Sequence, residues 1–369
     1  MGILVVVVVA ALALALLLPA PATAVDVSVV SPPQPVRGTD GQRHLAYELL
    51  LANPADVPVT LKQLWTRDAA SGRGLQALGQ RALLPVIVNP LGTGTRIPAG
   101  GIAALVLDVR VPGGRPPGAL THRLRFLTRK GGRTVPVIVD GVVTSVDPRL
   151  PVVLGPPLHG DLLVDANGCC GHSPHREAFF DFDDHLVVAQ RYAIDFVRID
   201  RAGRRFAGDV ARNEDYLIYG ADVLAVAPGT VVLATDGAPN GTPPDDPDPV
   251  PPTDALFGNR VVLDVGGGVF VAYGHLAPGT VRVAPGDRVA RGAVLGQVGN
   301  SGNSGEPHLH LQVMDAAGGP SALDAQGLPF VFDALRYEGL TRDLETFRLA
   351  GPSRRTGQMP LWGDIVGFG

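Results

Sequence analysis

The sequence predicts an all-β protein: an N-terminal antiparallel β-sandwich domain followed by a second, compact antiparallel β domain. Three observations predict it. The chain has 369 residues, 46% hydrophobic and 18% charged, enough to bury more than one core, so two domains are the natural division. From Val25 to about Val146, short alternating apolar runs are separated by clusters of Gly, Pro and Asn, the pattern of an antiparallel sandwich. Beyond the proline-rich stretch Asp147 to Leu158, read as a linker, a further series of short strands continues to about Asp333.

Residues 1–24 come first. An apolar run from Ile3 to Leu18 ends in Ala22-Thr23-Ala24, a small-x-small site of the kind that signal peptidase cleaves, so the chain is expected to be exported to the periplasm, cell wall or exterior. No Lys or Arg precedes the run, which departs from the usual signal. An uncleaved anchor is the rival reading, because the run is only slightly short of a membrane span. After cleavage no stable span is expected.

In the sandwich, residues 25–146, Leu45, Tyr47, Leu49 and Leu51 fall on one face of a strand. Leu105, Leu107, Val109 and Val111 repeat the pattern, with Asp108 and Arg110 turned away toward water. No catalytic constellation occurs here, and the domain reads as a packing or positioning module. In the second domain, residues 159–336, strands are expected at Asp222 to Val226, Thr230 to Ala234, Arg260 to Asp264, Val269 to Tyr273 and His308 to Val313. Asp236 to Thr253, crowded with Pro, Asp and Gly, buries little apolar surface and is expected to be a mobile loop. The tail, 337–369, carries one short helix or strand pair and no chemistry of its own.

Composition excludes one class of partner. The formal net charge is -4, so nothing in the overall charge attracts a phosphate backbone, and nucleic acid is not an expected partner.

The chemistry centres on His308-Leu309-His310. On a strand, residues i and i+2 share a face, so the two imidazoles project together while Leu309 enters the core. One imidazole can bind a metal through a neutral nitrogen while the other handles a proton. A lone His-x-His is a weak signal. Its surroundings strengthen it: the glycine-rich run Val298 to Pro307, expected to bring backbone close to a substrate, and upstream Tyr273-Gly274-His275-Leu276 and Gly286-Asp287-Arg288-Val289 with Gly292.

Taken together, Tyr-x-His-Leu, Gly-Asp-x-Val-x-x-Gly, Gly-x-Ser-Gly-x-Ser and Pro-His-Leu-His, in this order over about 220–313, resemble the core of the lysostaphin-like (LytM-type) zinc metallo-endopeptidases. The resemblance implies the duplicated-hybrid-motif fold, a groove across one sheet and one zinc ion per chain. It also implies hydrolysis of peptide bonds in peptidoglycan stems or cross-bridges. By the same resemblance His310 is a zinc ligand, and His308 and His275 are the two catalytic histidines. Gln190 to Phe196 is similar to the strand that carries the family's aspartate ligand, which places Asp195 on the metal.

Here the chain departs from the family pattern. The histidine usual four residues before that aspartate is Arg191, and a guanidinium stays protonated and cannot ligate zinc. The candidates for the missing ligand are His172, His175 and His185. His175 is preferred, because Cys169 to Arg176 followed by Ala189 to Asp195 resembles a subgroup in which the upstream histidine is displaced; His185 is next. Ordinary loop histidines are the bland reading of all three. Two histidines and one carboxylate form the ligand set of a catalytic zinc, with a fourth position open.

Cys169 and Cys170 are the only cysteines. Export permits oxidation, so a vicinal disulfide and two free thiols both stand as readings. The retained histidines and Asp195 favour an enzyme, whereas Arg191 keeps open a catalytically inactive regulator or wall-binding protein. A biotinyl or lipoyl carrier, whose hairpins share the Gly-Asp-x-Val-x-x-Gly rhythm, is excluded because no lysine follows Lys130.

Overall fold

The structure, a computed structural model, describes residues 25–183, 185–245 and 253–369, without the side chain of His185. The expected signal segment, 1–24, lies outside the described residues. Strand dominates, as predicted, and the two α-helical turns among the described residues, Gln80–Leu83 and Pro174–Glu177, span four residues each. No helix among the described residues is long and apolar enough to cross a membrane.

The N-terminal region is a sandwich of two five-stranded sheets. One runs in the order Asp26–Val29, Arg43–Ala52, Ile102–Val111, Ile87–Val88, with Gln34–Arg37 also paired to Arg43–Ala52; the other runs Arg133–Ser145, Ala119–Lys130, Val59–Asp68, Gly74–Gly79, with Arg96–Ile97 also paired to Val59–Asp68. Between them Leu45, Tyr47, Leu49, Leu105 and Leu107 meet Leu61, Leu64, Leu124 and Phe126, all almost fully buried. Removing each such side chain from water is worth about 1.5–3 kcal/mol.

The opposite face of the first sheet does not meet water as expected. Ala46, Glu48, Ala104 and Val106 are buried as well. Ala46 joins the core of the second domain, while Ala104 and Val106 pack with Phe179 and Val188. Asp108 keeps only 7% of its side chain exposed and pairs with His44 at 3.0 Å; Arg110, farther along the strand, remains exposed. Strand alternation separates the two faces correctly, but a second domain covers the one expected to be solvated.

The second domain is organised on a ten-stranded sheet in which every neighbouring pair is antiparallel. Its order is Arg288–Val289, Gly229–Thr235, Asn259–Gly266, Val269–Leu276, Leu309–Met314, Ile194–Arg198, Gly160–Ala166, Asp364–Phe368, Leu335–Thr341, Phe347–Arg355. The proline-rich stretch contributes a strand, Val152–Leu154, parallel to Phe330–Phe332. The tail supplies three strands to the main sheet, with Asp364–Phe368 against Gly160–Ala166.

The strands bearing the candidate histidines and aspartate lie side by side in the middle of this sheet. Asp195 is directly opposite His310, and His310 is directly opposite Gly274. The loop expected to be mobile is tied down over its described part, 236–245. Asn240 accepts from the Asn300 amide at 2.8 Å and Gly241 donates to the Asn300 carbonyl at 2.8 Å, which fastens it to the glycine-rich run. Residues 246–252 lie outside the described residues.

Candidate metal centre

Cross-strand partners in direct register present their side chains on one face, a few ångströms apart. Asp195 and His310 are such a pair, with Asp195 Oδ1 at 2.9 Å from His310 Nδ1. Ile194 and Phe196 on either side of Asp195 enter the core, as alternation predicts. His175 arrives from outside the sheet, on the turn Pro174–Glu177, and sets Nε2 at 3.1 Å from Asp195 Oδ2. His308, just before the strand, holds Nε2 at 3.5 Å from Asp195 Oδ1. All but His308 in this group are nearly sealed from solvent, and His308 retains 12% of its side-chain surface.

His275 reaches the site by breaking alternation. It follows Gly274, which faces His310, so a regular strand would aim it at the opposite side of the sheet. A bulge between the Asn259–Gly266 and Val269–Leu276 strands, with His275 at a φ of 61°, turns the ring back. Its centroid then lies 4.5 Å from that of His308 and 5.9 Å from that of His310. A left-handed non-glycine residue costs on the order of 1–3 kcal/mol, a strain that clusters at working sites.

Hydrogen bonds determine which nitrogen of each imidazole is free. A carbonyl oxygen only accepts, so Nδ1 of His275 donates to Ser301 (2.7 Å), Nδ1 of His308 to Glu306 (2.8 Å) and Nδ1 of His175 to Ala193 (3.3 Å). Each of these rings keeps its Nε2 for the site. His310 is held the other way round. The Gln312 amide donates to the Ala322 carbonyl at 2.8 Å, which turns its oxygen toward His310 Nε2 at 3.1 Å; that nitrogen therefore donates, and Nδ1 faces Asp195. Asn167 donates to Asp195 Oδ2 at 2.8 Å.

In their neutral forms His175 and His310 would point bare lone pairs at an ionised carboxylate. Such a set repels itself unless a cation, a proton or a metal, occupies the junction. Burial works against charge on His175, but Asp195 raises it above an ordinary imidazole. Burial likewise opposes the Asp195 carboxylate, yet His175 and His308 hold it well below its usual range. Burial lowers His310, and burial together with the neighbouring His308 and His310 puts His275 well below an ordinary histidine. Ligand atoms of His175, Asp195 and His310 all lie within 4.8 Å of one another. Their oxygen and nitrogen donors match what Zn2+ accepts, about 2.0–2.2 Å from each.

The other such cluster among the described residues, His44, Asp108 and Cys170, lacks free donors. Cys170 is bonded to Cys169 in a vicinal disulfide, and both ring nitrogens of His44 face carboxylates.

Of the three candidates for the displaced ligand, the structure brings His175 to Asp195. His172 is about half exposed and pairs with Glu177 at 2.8 Å instead. The His185 backbone pairs with Phe182, and its side chain is outside the described part of the molecule. Arg191 does not touch the site. It binds Glu48 of the sandwich, with Nη2 at 2.6 Å from Oε2.

Sequence patterns do not single out Gln312, Asn167 or Glu48. Gln312 carries a usable signal, since it continues the His308, His310 alternation by two more residues. The glycine-rich run also has a use within the fold itself. Gly258 and Gly302, both at positive φ, pass so close that a Cβ on Gly258 would stand 2.5 Å from the Gly302 nitrogen. These glycines admit one stretch of backbone to another, and so bring the Ser301 carbonyl to His275.

Residues 215–322 match the model of Peptidase family M23, a window that contains His275, His308 and His310. No curated protein matches the chain. Among solved structures, the catalytic domain of the antimicrobial peptidase lysostaphin from Staphylococcus simulans is similar at 20% identity and a TM-score of 0.26, over 45% of this chain and 88% of that one. A putative peptidase M23 from Pseudomonas aeruginosa is similar at 18% identity and 0.23, over 70% and 88%. A zinc containing peptidase from Vibrio cholerae is similar at 14% identity and 0.23, over 78% and 82%.

Proposed function

We propose, because residues 215–322 match the model of Peptidase family M23, that the protein is an exported zinc metallo-endopeptidase acting on the peptide stems or cross-bridges of peptidoglycan. The observation that carries this reading is the convergence of His175 Nε2 and His310 Nδ1 on the Asp195 carboxylate, with His275 and His308 alongside.

His175, Asp195 and His310 would hold the zinc. When bound, zinc supplies Lewis acidity, polarising a carbonyl oxygen and lowering the pKa of water from about 15.7 to around 7. The chain's own residues supply the rest. His308, anchored through Nδ1 to Glu306, offers Nε2 to the proton of the attacking water. His275 is neutral and bare at Nε2 in the resting site, so it would donate toward the developing oxyanion only after taking over the proton that His308 has removed from the attacking water. The two rings, 4.5 Å apart, therefore work in sequence. Gln312, Asn167 and the Ala193 carbonyl hold the ligands in orientation.

Arg191, the residue that keeps an inactive regulator in play, is accounted for by its ion pair with Glu48 and leaves the ligand set complete through His175. Metal analysis of the purified chain tests the reading. One zinc per wild-type chain is expected, with none in Asp195→Ala or His175→Ala and a full complement in His185→Ala. A wild type without stoichiometric zinc would sink the enzyme reading in favour of the regulator. Mass analysis of wall-digest products then identifies the bond cut.

A further inference from the structure

Glu48 belongs to the sandwich strand Arg43–Ala52, on the face turned toward the second domain, and is completely buried. Its carboxylate receives two guanidinium groups. Arg191 donates from Nε at 3.1 and 2.9 Å and from Nη2 at 2.6 Å, and Arg176 from Nη2 at 3.1 Å. Arg176 is also fully buried, and donates to the Leu107 carbonyl at 3.1 Å and to the Cys170 carbonyl.

Both arginines sit beside proposed metal ligands. Arg176 directly follows His175, and Arg191 lies four residues before Asp195. The turn bearing His175 has little to define it locally. It is four residues long, has no side-chain cap, and its own backbone hydrogen bonds from Arg176 and Glu177 both return to Ser173. A single turn of helix is not stable by itself. Apart from the contacts of His175 itself with Ala193 and Asp195, the turn is tied to the rest of the molecule through the Arg176 guanidinium and through the adjoining Phe179, which packs on Ala104 and Val106 of the sandwich.

We propose that Glu48 is a positioning residue for the metal centre: by clamping Arg176 and Arg191 it holds His175 and the approach to Asp195 in register, so metal capture by the second domain depends on the docked N-terminal sandwich. The inference rests on reading His175 as a ligand. It gives the sandwich a role in the site and gives Arg191 a function at the position where the family pattern has a histidine. Only a carboxylate accepts from both forks at once; a glutamine at 48 leaves one guanidinium short of an anion.

The test measures zinc affinity of the full chain by chelator competition, together with the visible spectrum of the Co2+-loaded protein, for wild type, Glu48→Gln, Arg176→Lys, Leu124→Ala and His175→Ala. Near-UV circular dichroism checks folding in each case. Glu48→Gln is expected to weaken zinc binding about 10- to 100-fold, the usual effect of losing a residue that orients a ligand, and to alter the Co2+ spectrum. Arg176→Lys, which keeps the charge but loses the fork, moves both readouts the same way and stands in should Glu48→Gln fail to fold. Leu124→Ala loosens the sandwich core away from the clamp and keeps wild-type affinity.

Wild-type affinity and spectrum in folded Glu48→Gln or in Arg176→Lys, with His175→Ala metal-free, overturns the positioning role alone. An equal loss of affinity in Leu124→Ala overturns it too, since general loosening then suffices. If His175→Ala binds zinc like wild type, the ligand reading itself has failed and the inference falls with it.

Discussion

Asp195 and Glu48 are both buried carboxylates that receive basic side chains from the same stretch of chain. His175 and Arg176, consecutive on one short turn, are divided between them: His175 goes to Asp195, and Arg176 goes with Arg191 to Glu48. Burial opposes ionisation of both, and in both the basic neighbours outweigh it and hold the carboxyl below its ordinary range. The difference lies in what surrounds the anion. An imidazole titrates near neutrality and can present a lone pair, so the Asp195 cluster can exchange a proton for a metal. A guanidinium never gives up its proton, so the Glu48 cluster can only remain an ion triad. One arrangement is equipped for chemistry and the other for fastening two domains together.

The largest expected effect follows from breaking the first cluster. Asp195→Asn keeps the shape of the side chain but lacks the charge that the two lone pairs converge on. If zinc acts as proposed, its loss removes about 4 kcal/mol of transition-state stabilisation, on the order of 10³-fold in kcat/KM on a peptidoglycan peptide. Steady-state kinetics beside metal analysis reads this, and near-normal turnover by a metal-free Asp195→Asn would end the analogy with a metal site.

Breaking the second cluster should appear as stability. Removing one partner strands a buried guanidinium, so Glu48→Gln is expected to lose about 3–5 kcal/mol in denaturant unfolding. Replacing the whole triad, with Glu48→Leu, Arg176→Met and Arg191→Met together, is expected to return stability to wild type or above, because no unpaired charge remains. The sign with pH is definite. Glu48 has a folded pKa below its unfolded value of about 4.5, so its contribution is present above that pH and is lost as pH falls through the folded pKa. Wild type should carry that acid-dependent loss and Glu48→Gln should lack it.

The smallest effect comes from a third buried carboxylate, one whose hydrogen-bond partners are a hydroxyl and a backbone amide. Asp364, held by Thr39 and the Leu361 amide, is pushed up to about 6 by burial. A raised folded pKa means stability that is present below the unfolded value, near 3.8, and lost as pH rises through about 6. Asp364→Asn is therefore expected to gain about 1–3 kcal/mol at pH 7–8 and little at pH 4. A gain that is flat with pH would show that the carboxyl is not the source.

Much of the site is legible in the amino-acid sequence. His308 and His310 share a face because strands alternate, and Asp195 between Ile194 and Phe196 announces itself by the same rule. Residue chemistry narrows the displaced ligand to three histidines, and geometry brings the preferred one, His175, to Asp195. What is not legible depends on distance along the chain or on departures from regularity. Glu48 lies 128 residues from Arg176 and 143 from Arg191, and no local pattern ties them. The one cue is an acid in the otherwise apolar strand from Leu45 to Leu51. His275 reaches the site only through a bulge, which periodicity cannot foresee.

The sequence by itself determined the class of fold, the faces of its strands and the residue types gathered at the site, because alternation and side-chain chemistry are local properties. It preferred His175 without settling which of three histidines joins Asp195, expected water where the outer face of the sandwich meets another domain, and left unexplained why an arginine stands four residues before Asp195. Those answers belong to the tertiary structure, because each is a question of which buried charge meets which partner. A buried charge takes its partner from whatever the fold brings within about 3 Å, however far away along the chain.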